Sequence, residues 1–286
     1  MGSDCLVTVL MACRRPHPIF LREALESIRW QSCPGWKALI IGDEGDAAAL
    51  DCISEVLAVF GDTRFRLLRQ TGTGLTRALN TGMRNAETPY ACNLLADDLL
   101  SGNAVEVLEA AIRCFPAVDF FHSSRQVIDE TGRPVSSIYR APESFTLEDF
   151  KRHGPVKHLH CWKIASALAI GGMDENLGPH GADDYDFSWC MAEAGYQFRA
   201  IEECLYFYRD HRDGYRLTTH VPVDQQIGEL RKICSKHGLT PKETEERIGR
   251  AASGYLRQAL YRDAADRSRK EREGYDIRSG WRFPWK

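Results

Sequence analysis

The strongest constraint on this chain is the alternation in its first hundred residues between short apolar runs and stretches of helical spacing. Cys5–Met11 (CLVTVLM) is apolar and β-branched, too short for a helix, and ends at a polar stretch holding Pro16 and Pro18; it predicts a buried strand. Leu21, Ala24, Leu25 and Ile28 then recur at i, i+3, i+4 and i+7, with Pro18 tolerable at the helix start. Lys37–Ile41 predicts a second strand, Asp46–Phe60 a helix, Phe65–Leu68 a third strand, Gly74–Asn85 a helix and Tyr90–Leu95 a fourth strand. Strand and helix alternating at this pitch argue for parallel βαβ units. Val105, Leu108, Ile112 and Phe115 mark one more helix, after which the period weakens over 119–160, read as a β-containing excursion. Phe187, Cys190, Met191 and Ala194 give another helical face, with Asp183-Asp184 at its N-terminus. From Val223 the chain reads as helical, in stripes at Val223, Ile227, Leu230, Cys234 and at Ile248, Ala251, Tyr255, Ala259.

Composition narrows the function classes. The 286 residues carry 37 Lys+Arg against 40 Asp+Glu, a formal charge of −3 with no bulk basic character for nucleic acid. The ten cysteines include no C-x-x-C pair, so neither a zinc knuckle nor a redox dithiol is encoded. With no signal-like start and no run of 18 apolar residues, the expectation is a reduced, cytoplasmic protein without a membrane span. Residues 257–286 hold nine Lys/Arg against five Asp/Glu and end in Trp281, Phe283 and Trp285. Such a tail suits peripheral contact with an anionic membrane surface; packing on its own domain or on the second subunit of a homodimer serves the same residues.

Ligands of an open parallel sheet bind beyond the carboxyl ends of its strands. Here those ends carry Ala12–Arg15, Asp43 and Asp97-Asp98, expected to converge on one crevice. Carboxylates beside an arginine-bearing loop suit a divalent cation with phosphates, because Mg²⁺ or Mn²⁺ takes one or two carboxylates plus phosphate oxygens. Asp-Asp pairs are also ordinary turn and cap residues. Gly72-Thr73-Gly74 lacks the third glycine and acidic partner of a dinucleotide fingerprint.

Four segments in order resemble the inverting GT-A-type nucleotide-sugar glycosyltransferases of glycosyltransferase family 2. They are VTVLMACRRP (7–16) with FLREALESIRWQ (20–31), IIGDEG (40–45), GLTRALNTGMRNAETPYACNLLADD (74–98) and GGMDENLGPHGADDYDFSWCMAEAG (171–195). The resemblance implies an α/β fold of GT-A, Rossmann-like type: a mixed, mostly parallel sheet flanked by helices, with a C-terminal helical extension. It divides the chain into a catalytic domain over 1–220, with a nucleotide-sugar half (1–100) and an acceptor half (101–220), and an extension with the basic aromatic tail over 221–286. Carried over by position, it implies that Ala12, Cys13 and Arg15 line the base and ribose pocket and that Asp43 accepts a hydrogen bond from the base. Arg77, Asn80 and Ala96 lie near the nucleotide. Asp97 matches the last acidic residue of the D-x-D motif and is the first-choice ligand for Mn²⁺ or Mg²⁺, with His211 completing the metal or diphosphate site. Asp184 is the general base. This sequence departs from the pattern at Leu95, which stands where the first Asp of D-x-D is usual, and at Asp183, which replaces a Glu.

The reaction so implied moves a sugar from a UDP- or dTDP-sugar to an acceptor hydroxyl in one displacement, with Asp184 taking the proton. Asp184 also sits where a helix cap would, and the helix dipole favours a carboxylate there in either role. His158, His160 and Trp162 precede the Gly171-Gly172 loop, where Trp162 is either a stacking platform for an acceptor ring or core filling. A sugar-nucleotide-binding protein with impaired catalysis is the alternative that Leu95 suggests. A nucleotidyltransferase is disfavoured because Cys13–Phe20 has two arginines but no glycine.

Overall fold

The computed structural model describes residues 5–177, 182–210 and 221–252. Its first half follows the predicted alternation: β1 (Val7–Cys13), α1 (Pro18–Arg29), β2 (Trp36–Asp43), α2 (Ala47–Phe60), β3 (Phe65–Gln70), α3 (Leu75–Asn85) and β4 (Tyr90–Asn93). A two-residue β5 (Leu99–Leu100) precedes α4 (Ala104–Cys114), β6 (Phe120–Ile128), α5 (Leu147–Phe150), β7 (His160–Lys163) and α6 (Ile164–Ala169). α7 (Asp183–Glu193), β8 (Phe198–Arg209), α8 (Val223–Lys236) and a helical stretch at 241–252 complete the described chain.

The strands form one sheet in the order β3-β2-β1-β4-β7-β6-β8-β5. β1 lies parallel to both β2 and β4, while β7 runs antiparallel between β4 and β6, and β6 lies parallel to β8. Strand order therefore reverses between β1 and β4. That is a topological switch point, where the connections leave for opposite faces of the sheet and a crevice opens at the strand ends.

Alternation along β1 shows how the sheet is covered. Val7, Val9, Met11 and Cys13 face α1, α2 and α4 in one apolar cluster, and Leu10 faces α3, α6 and α7 in another. Trp162 belongs to the second cluster. It is fully buried, its Nε1 donates to the Met83 sulfur, and it packs edge-on to Phe187, so it fills the core and presents no platform to an acceptor.

A third cluster joins Phe150, Tyr185 and Trp189 to Leu230, Ile233, Cys234 and Ile248, so the helices after 221 pack on α7. Their polar clamp is His237. Its ring stacks on Trp189 with centroids 4.0 Å apart, its Nε2 lies 3.1 Å from Asp186 Oδ1, and its Nδ1 lies 2.9 Å from Glu193 Oε2. Lys236 Nζ donates to Asp186 Oδ2 at 2.7 Å. Burial alone would depress the His237 pKa, but its hydrogen bonds to Asp186, Cys190 and Glu193 raise it to about 9.

Above the ordinary histidine value of 6.5 the folded chain thus keeps a proton that the unfolded chain releases. The clamp is at full strength below that value, and its contribution disappears as pH rises through about 9. Denaturant titrations of the wild type should lose about 2–3 kcal/mol from this source across that window. His237→Asn should be less stable at neutral pH and flat across the window; an equal slope in both proteins would remove His237 as the cause.

Candidate active site at the β1/β4 switch point

The crevice is built from strand ends. β1 delivers Ala12 and Cys13 and is followed by Arg15, whose φ of +44° lies in the left-handed region that non-glycine residues rarely adopt. Asp46 holds that turn: one carboxylate oxygen accepts from Arg15 N at 3.2 Å, while the other caps α2 through Ala49 N at 3.1 Å. Cys13 is buried, and its thiol pKa is pushed far up first by burial, then by the Cys52 thiol and the Asp97 carboxylate. The ends of β1 and β4 are therefore within electrostatic reach of each other.

Asp43 ends β2, is buried, and accepts a hydrogen bond from Gln70 Nε2 at the end of β3. The other amide atom, Gln70 Oε1, is buried with no hydrogen-bond partner among the described residues. Asp43 and Gln70 thus present acceptors at the place where the resemblance puts a nucleobase.

After β4 the chain turns through Leu95, Ala96, Asp97 and Asp98, and the two aspartates separate in role. Asp98 is buried, taking the Tyr206 hydroxyl on Oδ2 at 2.6 Å and the Arg209 backbone N–H on Oδ1 at 2.7 Å. Burial and the Asp98 carboxylate both push Tyr206 well above its usual pKa, keeping it a donor. Asp97 is half-buried, as is Ala96. The backbone of Asp97 is held by Arg209 Nε, which donates to its carbonyl at 2.7 Å.

Arg209, two residues before His211, is a structural residue that no sequence pattern singled out. Its guanidinium is fully buried, donates to Glu130 O at 2.9 Å and Glu23 Oε2 at 2.6 Å, and lies 4.6 Å from the Phe20 ring centroid. His211 itself lies outside the described residues.

Arg77 and Asn80 project from α3 to the loop after Gly171-Gly172. Asn80 Nδ2 donates to Met173 O at 2.9 Å and Glu175 Oε1 at 3.0 Å, and its Oδ1 accepts from Met173 N at 2.8 Å. Arg77 pairs with Glu175 at 3.2 Å. A Cβ on Gly172, whose φ is +79°, would stand 2.5 Å from Asn80 Oδ1, so this contact requires glycine. Both side chains are engaged in anchoring the loop that leads to α7.

Asp184 sits in the first turn of α7, half-buried, with Oδ1 accepting from Tyr185 N at 2.8 Å and Oδ2 lying 3.7 Å from His158 Nε2. Partial burial, and then the adjacent Asp184 carboxylate, raise the pKa of Asp183. The His158 ring packs on His160 and lies 5.2 Å from the Tyr206 ring. Asp184 and the Asp97-Asp98 turn are therefore linked through two packed side chains, His158 and Tyr206. Burial and the neighbouring His158 hold the His160 pKa well below the usual value.

A parallel half opening at a switch point, continued by an antiparallel β7 and a second half that adds the other wall, is the GT-A glycosyltransferase architecture. Solved structures share it. The mannosyltransferase PcManGT from Pyrobaculum calidifontis, in complex with GDP-Man and Mn²⁺, aligns with a TM-score of 0.60 at 16% identity, covering 96% of this chain and 77% of that one. S. aureus TarS 1-349 in complex with UDP-GlcNAc aligns with a TM-score of 0.61 at 14% identity, covering 90% of this chain and 73% of that one.

The family model described as glycosyl transferase family 2 matches residues 8–165, and the chain belongs to that family. An uncharacterized glycosyltransferase of Methanocaldococcus jannaschii is 26% identical over 220 residues, 73% of either chain. An uncharacterized protein of Sinorhizobium fredii is 26% identical over 209 residues, and there the match covers 71% of this chain but only 22% of the relative.

Asp98→Ala leaves the Tyr206 hydroxyl and the Arg209 backbone N–H without their acceptor. The expected cost is about 3 kcal/mol. Thermal melting should show it as a fall of roughly 6–12 °C; a melting point equal to wild type would show that the turn is held by other contacts.

Proposed function

We propose that this protein is an inverting glycosyltransferase that moves a sugar from a nucleoside-diphosphate sugar to an acceptor hydroxyl, with Asp184 as general base and Asp97 as the protein ligand of a divalent cation. The observation that supports the reading is a chain of contacts: Asp184 on α7 is joined through His158 and Tyr206 to Asp98, in the same turn after β4 as Asp97. Asp184 Oδ2 receives the proton of the acceptor hydroxyl as the hydroxyl oxygen attacks the anomeric carbon, and the nucleoside diphosphate leaves from the opposite face. A single displacement inverts the anomeric centre.

Asp97 is assigned the cation role from its place at the last acidic position of the D-x-D-like turn, while Asp98 accepts from the Tyr206 hydroxyl and the Arg209 backbone N–H. One carboxylate completed by diphosphate oxygens is a usual Mg²⁺ or Mn²⁺ arrangement. Bound there, the cation would offset the charge on the departing diphosphate. The acceptor-rich Asp43–Gln70 end supports a base carrying a ring N–H, a condition met by uracil and thymine of the favoured UDP- or dTDP-sugar and also by guanine. Residues 1–220 form the catalytic unit in this reading, and the basic aromatic tail, outside the described residues, is its peripheral membrane contact.

Asp184→Asn should lower transfer by roughly 10²–10⁴-fold while nucleotide affinity is kept. Wild-type turnover in that variant would exclude Asp184 as base. Asp97→Ala should abolish the gain in UDP affinity that Mn²⁺ confers, measured by calorimetry, and unchanged titrations would discard the ligand assignment. A thermal-shift screen of nucleotide sugars with and without Mn²⁺ identifies the donor, since ligand binding to the folded state raises its stability. Donor-specific stabilisation with neither transfer nor hydrolysis would mark a binding protein instead.

A further inference from the structure

One side-chain cluster in the crevice has a donor chemistry that the proposed reaction does not use. His158 and His160 are two apart where the chain enters β7 at His160. Their rings stack with centroids 4.4 Å apart and planes 25° apart. α7 brings in Asp184, so that one ligating atom from each of the three lies within 4.8 Å of the other two. His160 is 2% exposed, and its Nε2 has no hydrogen-bond partner among the described residues. A buried imidazole nitrogen left unpaired inside a set of ligating atoms points to a missing occupant.

Two imidazoles and a carboxylate suit zinc and other late first-row ions, whereas Mg²⁺ and Mn²⁺ favour oxygen sets such as Asp97 with a diphosphate. Ligand bonds of roughly 2.0–2.1 Å put neighbouring tetrahedral ligand atoms about 3.3 Å apart. The 3.7 Å between His158 Nε2 and Asp184 Oδ2 needs only a small contraction to reach that. The other three-residue cluster among the described residues, Asp186, Cys190 and His237, has its cation already: Lys236 Nζ lies 2.7 Å from Asp186, and His237 pairs with the same carboxylate.

We infer that His158, His160 and Asp184 form a binding site for a late first-row divalent ion, of which Zn²⁺ is the type, separate from the diphosphate cation at Asp97, and that its occupation stops transfer. The ion coordinates the carboxylate that would otherwise take the acceptor proton, so the site is an inhibitory one. The binding half stands on geometry alone; the inhibitory half rests on Asp184 acting as the base.

The test uses the full chain stripped of metal, with Zn²⁺ alone as probe in competition with a chromophoric chelator, and Co²⁺ as the spectroscopic substitute. Wild type should bind a single tight Zn²⁺. His160→Asn, His158→Asn and Asp184→Asn should each bind it tenfold or more weakly, with thermal melting confirming that they are folded. His158 and Asp184 lie nearer the surface, so those two variants carry the test if His160→Asn does not fold. Bound Co²⁺ should give a visible ligand-field band without the near-ultraviolet charge-transfer band of a thiolate. With Mn²⁺ saturating, Zn²⁺ should inhibit wild-type transfer over the concentrations at which it binds.

No Zn²⁺ binding by wild type, wild-type affinity in both His158→Asn and Asp184→Asn, or a thiolate band would overturn the site. Zn²⁺ that binds as expected but leaves transfer unchanged or faster would overturn the inhibitory half. Wild-type turnover by Asp184→Asn, with its Zn²⁺ affinity lost, would instead refute the general base and leave the metal site standing.

Discussion

A fully buried guanidinium organises the acidic wall of the crevice. Arg209 ends β8, and from there it reaches α1 at Glu23 and Phe20, the carbonyl of Asp97, and the carbonyl of Glu130. Its backbone N–H meets Asp98. A buried ion pair rarely adds net stability over an apolar equivalent, but once present it tolerates few arrangements, because each unmatched donor is costly. Burial raises the pKa of Glu23 even against the lowering effect of Arg209, which shows how poorly solvated the pair is. The turn bearing Asp97 thereby gains a fixed backbone without being part of a long strand, since β4 has only four residues.

The opposite wall is fixed by different means. α3 holds the Gly171–Glu175 loop through the Asn80 amide and Arg77, and the close approach of Gly172 to Asn80 sets the path of the chain. Farther along α7, Trp189 and Asp186 are gripped by His237. Asp184 therefore stands in the first turn of a helix tied down by α3 through the preceding loop and by α8 through its later turns.

The parallel half was legible in the sequence because each of its strands is a short apolar run and each helix has a clean amphipathic period. Asp46 and Gly74 are the caps of α2 and α3, one residue outside those helices. Beyond residue 119 the signal fades for physical reasons. β8 mixes buried, half-buried and exposed positions without strict alternation, and its pairing with β6 is interrupted by register shifts at Ser123 and Ser124. β5 is two residues long, below any periodicity. Of the acidic positions, Asp43, Asp97 and Asp184 are singled out by strand ends and by the family resemblance, and they lie at the end of β2, in the turn after β4 and in the first turn of α7. The commitment of Asp98 to Tyr206 and Arg209 could not be read in the same way, because it joins residues more than a hundred positions apart. His158-x-His160 was a readable spacing whose meaning needed Asp184 beside it.

The His237 clamp carries a consequence for how such chains are recombined. The helices after residue 221 grip α7 through Asp186 and Glu193, on the same helix that presents Asp184, two residues before Asp186. A chimera that joins this catalytic half to a relative's C-terminal segment replaces the partner of a buried carboxylate. A crossover placed near 220 therefore cuts through the contacts that join α7 to the helices after 221.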